Sequence, residues 1–517
     1  MSRVATTSGG RRARASSGRW EHRIRTVSGP TDHVVIVGAA LGGLSAALRL
    51  AGAGRRVTVL ERELIPGGRA GLLEIEGYRF DTGPTVLTMP ELLSDALASV
   101  EESLDDWLDL RRVEPAYRAC FADGSRLDVR SDVDAMTEQI RAVCGPDDAA
   151  GYQRFVSFAR RLYDLEMRHF IDRNLDSPLD LLRPSLARLA ALGGFRRLAP
   201  KVASYLKDER LQRIFTFQSM YAGLSPYDAL AVYAVIAYMD CVAGVWFPIG
   251  GIHAVPRALA GAASKHGVDI RYGTEVARVE MSGSRAVAVH TRDGERIPAD
   301  VVVLNPDVPV AWRELLADSS PPARLSRLRY SPSCLLLLAG STLPHGDQAH
   351  HTIHFGEAWR STFRELVKER TLQSDPSLLV STPTVTDPTL APPGRSSRYV
   401  LVPTPNLDAP LDWDTIGPRY RDETVARLER LGYQGFEASI DVEAITTPAD
   451  WARRGMERGS PFAAAHSFRQ TGPFRPGNIA FDNVVFVGSG TQPGVGVPMV
   501  LISGRLAAER IAGPGVK

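Results

Sequence analysis

The chain has 517 residues, 44% of them apolar and 23% charged, with a net charge of +2. Those values describe an ordinary globular protein long enough for two or three domains, and they give no reason to expect nucleic acid as a partner. Four scattered cysteines (Cys120, Cys144, Cys241, Cys334) include no C-x-x-C pair, which argues against a zinc site or a disulfide framework and suits a reducing cytoplasm.

Residues 1–30 read as a basic leader. The first 28 carry seven arginines, one acid and almost no apolar run, so the segment lacks the core that would offset its ordering entropy. It is not a signal peptide, since no apolar stretch follows the basic start. Two roles stay open, a disordered tail or an arm touching anionic lipid.

Next comes "HVVIVGAALGGLSAALRLAGAGRRVTVLE": a β-branched strand, a glycine turn, a helix at about 42–53 and a second strand. In a G-x-G-x-x-G turn the first glycine allows the tight bend, the second admits a pyrophosphate and the third lets the helix pack on the sheet. Here the three places hold Gly38, Ala40 and Gly43. Glu61 ends the second strand, where a carboxylate accepts from a ribose diol and repels a 2′-phosphate. "PGGRAG" (66–71) adds Gly67, Gly68 and Arg69 for a second diphosphate loop.

Residues 112–245 are mainly helical, as in "GYQRFVSFARRLYDLEMRHFI". The most apolar stretch, "ALAVYAVIAYM" (229–239), would span about 16 Å as a helix, roughly half a bilayer core. It is either a buried helix or a surface that dips into membrane or lines substrate. Trp246 and Phe247 either line a tunnel or belong to the core. A second α/β stretch covers 246–310. Residues 311–474 mix strands, helices and prolines, and a last strand, glycine turn and helix occupy 475–514. "HHTIHF" places His350 and His354 on one face of a half-exposed strand and His351 on the other; with no second ligand cluster, no metal site is expected. The closing turn "VGSGTQPGVGVPMV" brings a helix start toward a flavin edge. One cofactor gripped by both chain ends points to FAD rather than to exchangeable NAD.

"GGR", "YRFDTGPTVLTMP", "FPIGGIHAVPRAL", "HSFRQTGPFRP" and "VGSGTQPGVGVPMV" together resemble the bacterial and fungal type of phytoene desaturase, within the FAD-dependent amine-oxidase-like superfamily. The resemblance covers about residues 33–512. It departs at Ala40, where the family has glycine, a difference that bears on cofactor affinity rather than on fold. It implies an α/β fold with a Rossmann-like, discontinuous FAD domain (32–111, 246–310, 475–514) and a mixed substrate domain (112–245, 311–474). The candidate FAD contacts are Gly38, Ala40, Gly42, Gly43, Glu61, Arg62, Gly67, Gly68, Arg69, Val276 (by its backbone, at adenine), Gly490, Pro493, Gly494 and Val495. The implied activity is desaturation of a long apolar polyene, phytoene, toward lycopene in the cytoplasm at a membrane surface, with oxygen or a quinone as electron acceptor. The catalytic base is unassigned. Asp81 and His466 are candidates, each with a structural alternative: holding the "DTGPT" turn for Asp81, a hydrogen-bonded structural histidine for His466. Other carotenoid-acting flavoenzymes (a dehydrosqualene desaturase, ketolase or isomerase), a more distant amine oxidase, and a non-catalytic flavin-fold protein are the competing readings.

Overall fold

The computed structural model describes residues 24–515. One six-stranded sheet positions the site. Its strands lie in the order Ile479–Ala480, Val484–Phe486, Val301–Leu304, His33–Val37, Arg56–Leu60 and Asp269–Arg271. All pairs are parallel except that of the Ile479–Ala480 edge. Numbered by chain order, the five parallel strands read 3-2-1-4-5, the doubly wound arrangement in which ligands bind beyond the carboxyl ends where the order reverses. That reversal falls between His33–Val37 and Val301–Leu304.

The central strands are largely apolar because both faces are covered. Val34, Ile36, Val57, Val301 and Val303 pack against the first helix (Leu41–Gly52), the helix Ala254–Lys265 and the C-terminal helix (Val497–Ala512). Val35, Val37, Leu60 and Val302 pack under a three-stranded antiparallel sheet, Val276–Ser282, Arg285–Thr291 and Arg296–Pro298.

A seven-stranded sheet forms the second layer, in the order Ile440–Thr446, Ser333–Ser341, Ser396–Thr404, Leu378–Ser381, His351–His354, Tyr117–Cys120 and Arg126–Val129. Only His351–His354 beside Tyr117–Cys120 is parallel. The expectation of a half-exposed "HHTIHF" strand is corrected here. The strand is paired on both edges, and His350, His351 and His354 are all buried. Each finds its own partner: Thr386 Oγ1, the carbonyls of Thr85 and Ala116, and the Tyr433 hydroxyl, respectively. The expected alternation also fails at its start, because the strand begins at His351; the His350 and His351 rings lie 4.4 Å apart. Phe247 is core, 4.5 Å from His350, and Trp246 lies under the Arg112 guanidinium.

In the helical region the helix Val133–Cys144 is followed by Pro146–Glu166, which has Pro146 in its first turn and passes directly into a π-turn, Met167–Ile171. "ALAVYAVIAYM" forms a buried helical stretch that likewise ends in a π-turn, Met239–Ala243. Such turns often mark functional sites.

Residues 1–23 of the expected leader lie outside the described residues, but residues 25–28 are bound. Val27 N–H donates to the Arg510 carbonyl and Ser28 N–H to the Asp482 carbonyl. Arg25 N–H shares Asp176 with the buried Arg510 guanidinium. Those partners offset the ordering entropy that composition alone left unmet.

Candidate functional site

The reversal point of the parallel sheet is built from both chain ends. Gly38 follows the first strand with φ +103°, and a Cβ on Gly43 would sit 2.3 Å from the Gly38 carbonyl oxygen. The glycines thus do the work that the turn pattern predicts. A Cβ on Gly42 would lie 3.0 Å from the backbone nitrogen of Gly488 in the closing turn. Ser45 Oγ donates to the Leu501 carbonyl (2.9 Å), and a Cβ on Gly504 would lie 2.6 Å from the Gly42 carbonyl. The first and last helices therefore meet almost backbone to backbone.

Two helix N-termini open on one cavity. Ala40 is the N-cap of the first helix and Gly496 that of the last, and neither start has a side-chain cap. Ala40, Leu41 and Gly42 line the cavity with Val495, Gly496 and Val497. Unpaired N–H groups and the positive ends of two helix dipoles suit anionic or electron-rich groups of a dinucleotide. The Ala40 methyl touches the second glycine loop: Ala40 bridges to Gly67, and a Cβ on Gly68 (φ +57°) would come within 2.8 Å of it. These cradles, with glycine wherever a side chain would intrude, fit a dinucleotide.

Glu61 is buried, and burial raises its pKa despite two backbone donors. Its Oε2 accepts from Ala39 N–H at 2.6 Å and its Oε1 from Glu63 N–H at 3.0 Å. Its carboxylate therefore braces the glycine turn itself, and its remaining lone pairs are what a diol would meet. Val276 packs beside Leu60, and Thr274 N–H donates to the Glu61 carbonyl. Arg62, next to Glu61, donates to the Arg454 carbonyl at 2.8 Å.

Arg69 lines the cavity with its guanidinium already committed. It makes a bidentate pair with buried Asp307 (2.9 and 3.0 Å) and donates to Ser489 Oγ, while its Nε has no partner. The pair ties the second glycine loop to the end of the strand Val301–Leu304, and the Ser489 bond ties it to the closing turn.

In that turn, Gly490 packs on Val308 and Gly494 (φ +149°) on His466, where a Cβ would fall 2.0 Å from the ring. His466 Nε2 accepts from Val495 N–H at 3.3 Å, its carbonyl accepts from the Tyr233 hydroxyl, and burial beside Arg475 pushes its pKa well down. With that ring nitrogen occupied, His466 packs on the Pro493–Val495 turn at the cavity wall.

Asp81 lies outside the cavity. Its oxygens accept from Ile252 and His253 N–H (2.8 and 2.9 Å) at the start of helix Ala254–Lys265, and burial raises its pKa to about 6. The Asp81 carboxylate holds the Gly251–His253 turn that leads into that helix, where Gly251 lets the backbone close on it.

Sequence reasoning missed Asn305, Asp307, Ser489 and Arg475. Asn305 Nδ2 donates to the Gly38 carbonyl at 3.4 Å, and Arg475, fully buried, donates to the carbonyls of Ala464, Ser489 and Thr491. Asn305 and Asp307 were findable, since they follow a buried strand at the binding edge of the sheet.

The cavity measures about 740 Å³ and runs from these turns into the helical region. Its wall is mostly hydrocarbon, with Phe170, Leu189, Phe217, Ile236, Met239 and Leu366 among the lining groups. "ALAVYAVIAYM" is both buried and cavity-lining. Among the described residues no helix is long and apolar enough to cross a membrane.

A curated phytoene dehydrogenase from Streptomyces griseus is 56% identical over 496 residues, covering 95% of this chain and 97% of that protein. A zeta-carotene-forming phytoene desaturase from Myxococcus xanthus is 39% identical, covering 92% and 93%. Among solved structures, an oxidoreductase from Methanosarcina mazei shares the fold at a TM-score of 0.60 and 19% identity, covering 92% of this chain and 99% of that one. The model of the flavin containing amine oxidoreductases matches residues 41–512. With both chain ends closing on one dinucleotide cradle, the chain belongs to the flavin-containing amine oxidoreductase family.

Proposed function

We propose that this chain is an FAD-dependent desaturase that converts phytoene, an acyclic C40 polyene, toward lycopene in carotenoid biosynthesis. The cavity carries the reading. A hydrocarbon offers no hydrogen-bonding handle, so it is recognised by apolar area and shape, and this wall supplies both beside the dinucleotide cradle. The names of the two curated relatives point to the same substrate class. A polar amine would want charged or polar groups that this wall largely lacks.

Bound FAD supplies the hydride acceptor. The turns at 38–43, 66–71 and 488–495, with Glu61, Arg62 and Val276, are the groups assigned to hold it. Arg69 and Ser489 fix two of those turns against each other, and Leu230, Ile236 and Met239 help keep water from the reacting carbons. In this reading the FAD domain takes residues 32–111, 246–310 and 475–514, the substrate domain takes the remainder of 112–474, and oxygen or a quinone receives the electrons.

The mouth of the cavity supports peripheral contact with a membrane. Leu182 (72% exposed), Phe468 (60%) and Phe195 (41%) line it, with Leu179 (67%) beside them. Arg188, Arg196 and Arg197 are exposed nearby. An apolar rim beside basic side chains suits an anionic bilayer that delivers an insoluble substrate. The test is incubation with phytoene in liposomes and FAD, read by visible absorbance; colourless extracts from flavin-loaded protein would refute the desaturase.

A further inference from the structure

Removing two hydrogens from a saturated carbon pair sends a hydride to the flavin and leaves a proton to be taken from the neighbouring carbon. Neither earlier candidate is placed for that. Asp81 holds the turn before helix Ala254–Lys265 outside the cavity, and the His466 nitrogen that faces Val495 is occupied. Two other carboxyls do reach the wall, and both stand at α-to-π transitions. Glu166 ends the helix Pro146–Glu166, and Asp240 lies in the π-turn Met239–Ala243.

Their surroundings separate them. Asp240 is 4% exposed, and its Oδ2 accepts from the Tyr117 hydroxyl at 3.2 Å. Tyr117 comes from the edge-paired strand Tyr117–Cys120 and Tyr221 from the turn Phe217–Ala222, so two hydroxyls stand around this carboxyl. Glu166 is 7% exposed and its Oε1 has no partner. A carboxylate needs a donor to persist in an apolar wall. Asp240 has one, whereas for Glu166 burial alone acts and favours the neutral acid.

We propose that Asp240 is the proton acceptor of the desaturation, held in place by Tyr117. The inference rests on the desaturase reading above. In the step, one C–H bond breaks with its electron pair going to the flavin as hydride. The adjacent C–H bond breaks with its pair forming the new C=C bond, and its proton passes to the Asp240 carboxylate. Burial raises the Asp240 pKa to about 7 against the Tyr117 donor, near the value that serves a base at neutral pH. The groups facing it are Tyr117, Tyr221 and Cys241, with His351 5.6 Å from the Tyr117 ring and Gln218 on the Cys241 sulfur. Among the described residues no ion pair reaches it.

The experiment uses the full FAD-loaded chain and phytoene liposomes. Asp240→Asn should lower phytoene-dependent flavin reduction by about a hundredfold or more while flavin loading and melting stay near wild type. Asp240→Glu should restore part of the rate, and Glu166→Gln should lose less than Asp240→Asn. Infrared difference titration should show a buried carboxyl band in wild type that is missing from Asp240→Asn. Tyr117→Phe, which keeps the ring and removes the donor, should move both that titration and the activity profile to higher pH. Turnover by Asp240→Asn within threefold of wild type, a larger loss in Glu166→Gln, or an unmoved midpoint in Tyr117→Phe each overturns the assignment. Wild-type protein that leaves phytoene unchanged overturns the desaturase reading with it. Active wild type with an active Asp240→Asn overturns only this inference.

Discussion

Gly504→Ala tests whether the close approach of the first and last helices sets the cofactor cradle. The added methyl would stand 2.6 Å from the Gly42 carbonyl oxygen, 2.6 Å from Ser45 Cβ and 2.8 Å from Ala46 N. Two of these are backbone atoms of the first helix, so the helices must part by most of an ångström. Overpacking of this kind costs about 1–3 kcal/mol, and better helix propensity returns about 1 kcal/mol. The net loss is about 0–2 kcal/mol. Because Gly42 and Gly488 line the cavity from either side, separation of the helices also widens the cradle. We expect FAD affinity to fall about tenfold, equivalent to about 1.4 kcal/mol, with a larger drop in melting temperature for loaded than for stripped protein. Gly417→Ala, in helix Trp413–Arg430 and 3.2 Å from only the Thr447 methyl, is the control and should stay within about 1 kcal/mol. A Gly504→Ala protein with wild-type melting and flavin retention would refute the reasoning.

Ala40→Gly removes the methyl from the contact with the second glycine loop and places a better N-cap residue there; titration of stripped protein should show tighter FAD binding, and unchanged affinity would show the methyl already accommodated. Arg69→Ala leaves Asp307 buried without its bidentate partner, which costs about 1–3 kcal/mol, and should lower both melting temperature and flavin retention; a fully loaded variant contradicts the role given to Arg69. Leu179→Asp with Leu182→Asp should weaken co-sedimentation with anionic liposomes while the flavin spectrum is preserved, and unchanged sedimentation would remove the rim from the account.

Fold and cradle were legible because they rest on local signals. Strand, glycine turn, helix and acid occur in order between His33 and Glu61, and the structure sets Gly38, Gly43 and Glu61 together there. What stayed hidden depends on contacts across hundreds of residues. Arg69 reads as a phosphate ligand until Asp307, 238 residues away, appears against it. Glu61 reads as a ribose acceptor until Ala39 N–H takes one oxygen. The "HHTIHF" strand reads as half-exposed because alternation cannot reveal that a second sheet face is also covered. Asp81 stood in a specific motif, and motifs mark turns as readily as chemistry. Asp240 had only its place at the end of an apolar run, a weak cue until that run becomes the wall of a cavity.

The meeting of the helices Leu41–Gly52 and Val497–Ala512 at the reversal point has a consequence for biosynthesis. A nascent chain carries its first glycine turn early, but the strand Val484–Phe486 and the helix beyond it leave the ribosome more than 400 residues later. Contacts of such long sequence separation form late. A chain cut short before them lacks one wall of its cradle, so a yellow product reports a chain translated through the helix Val497–Ala512.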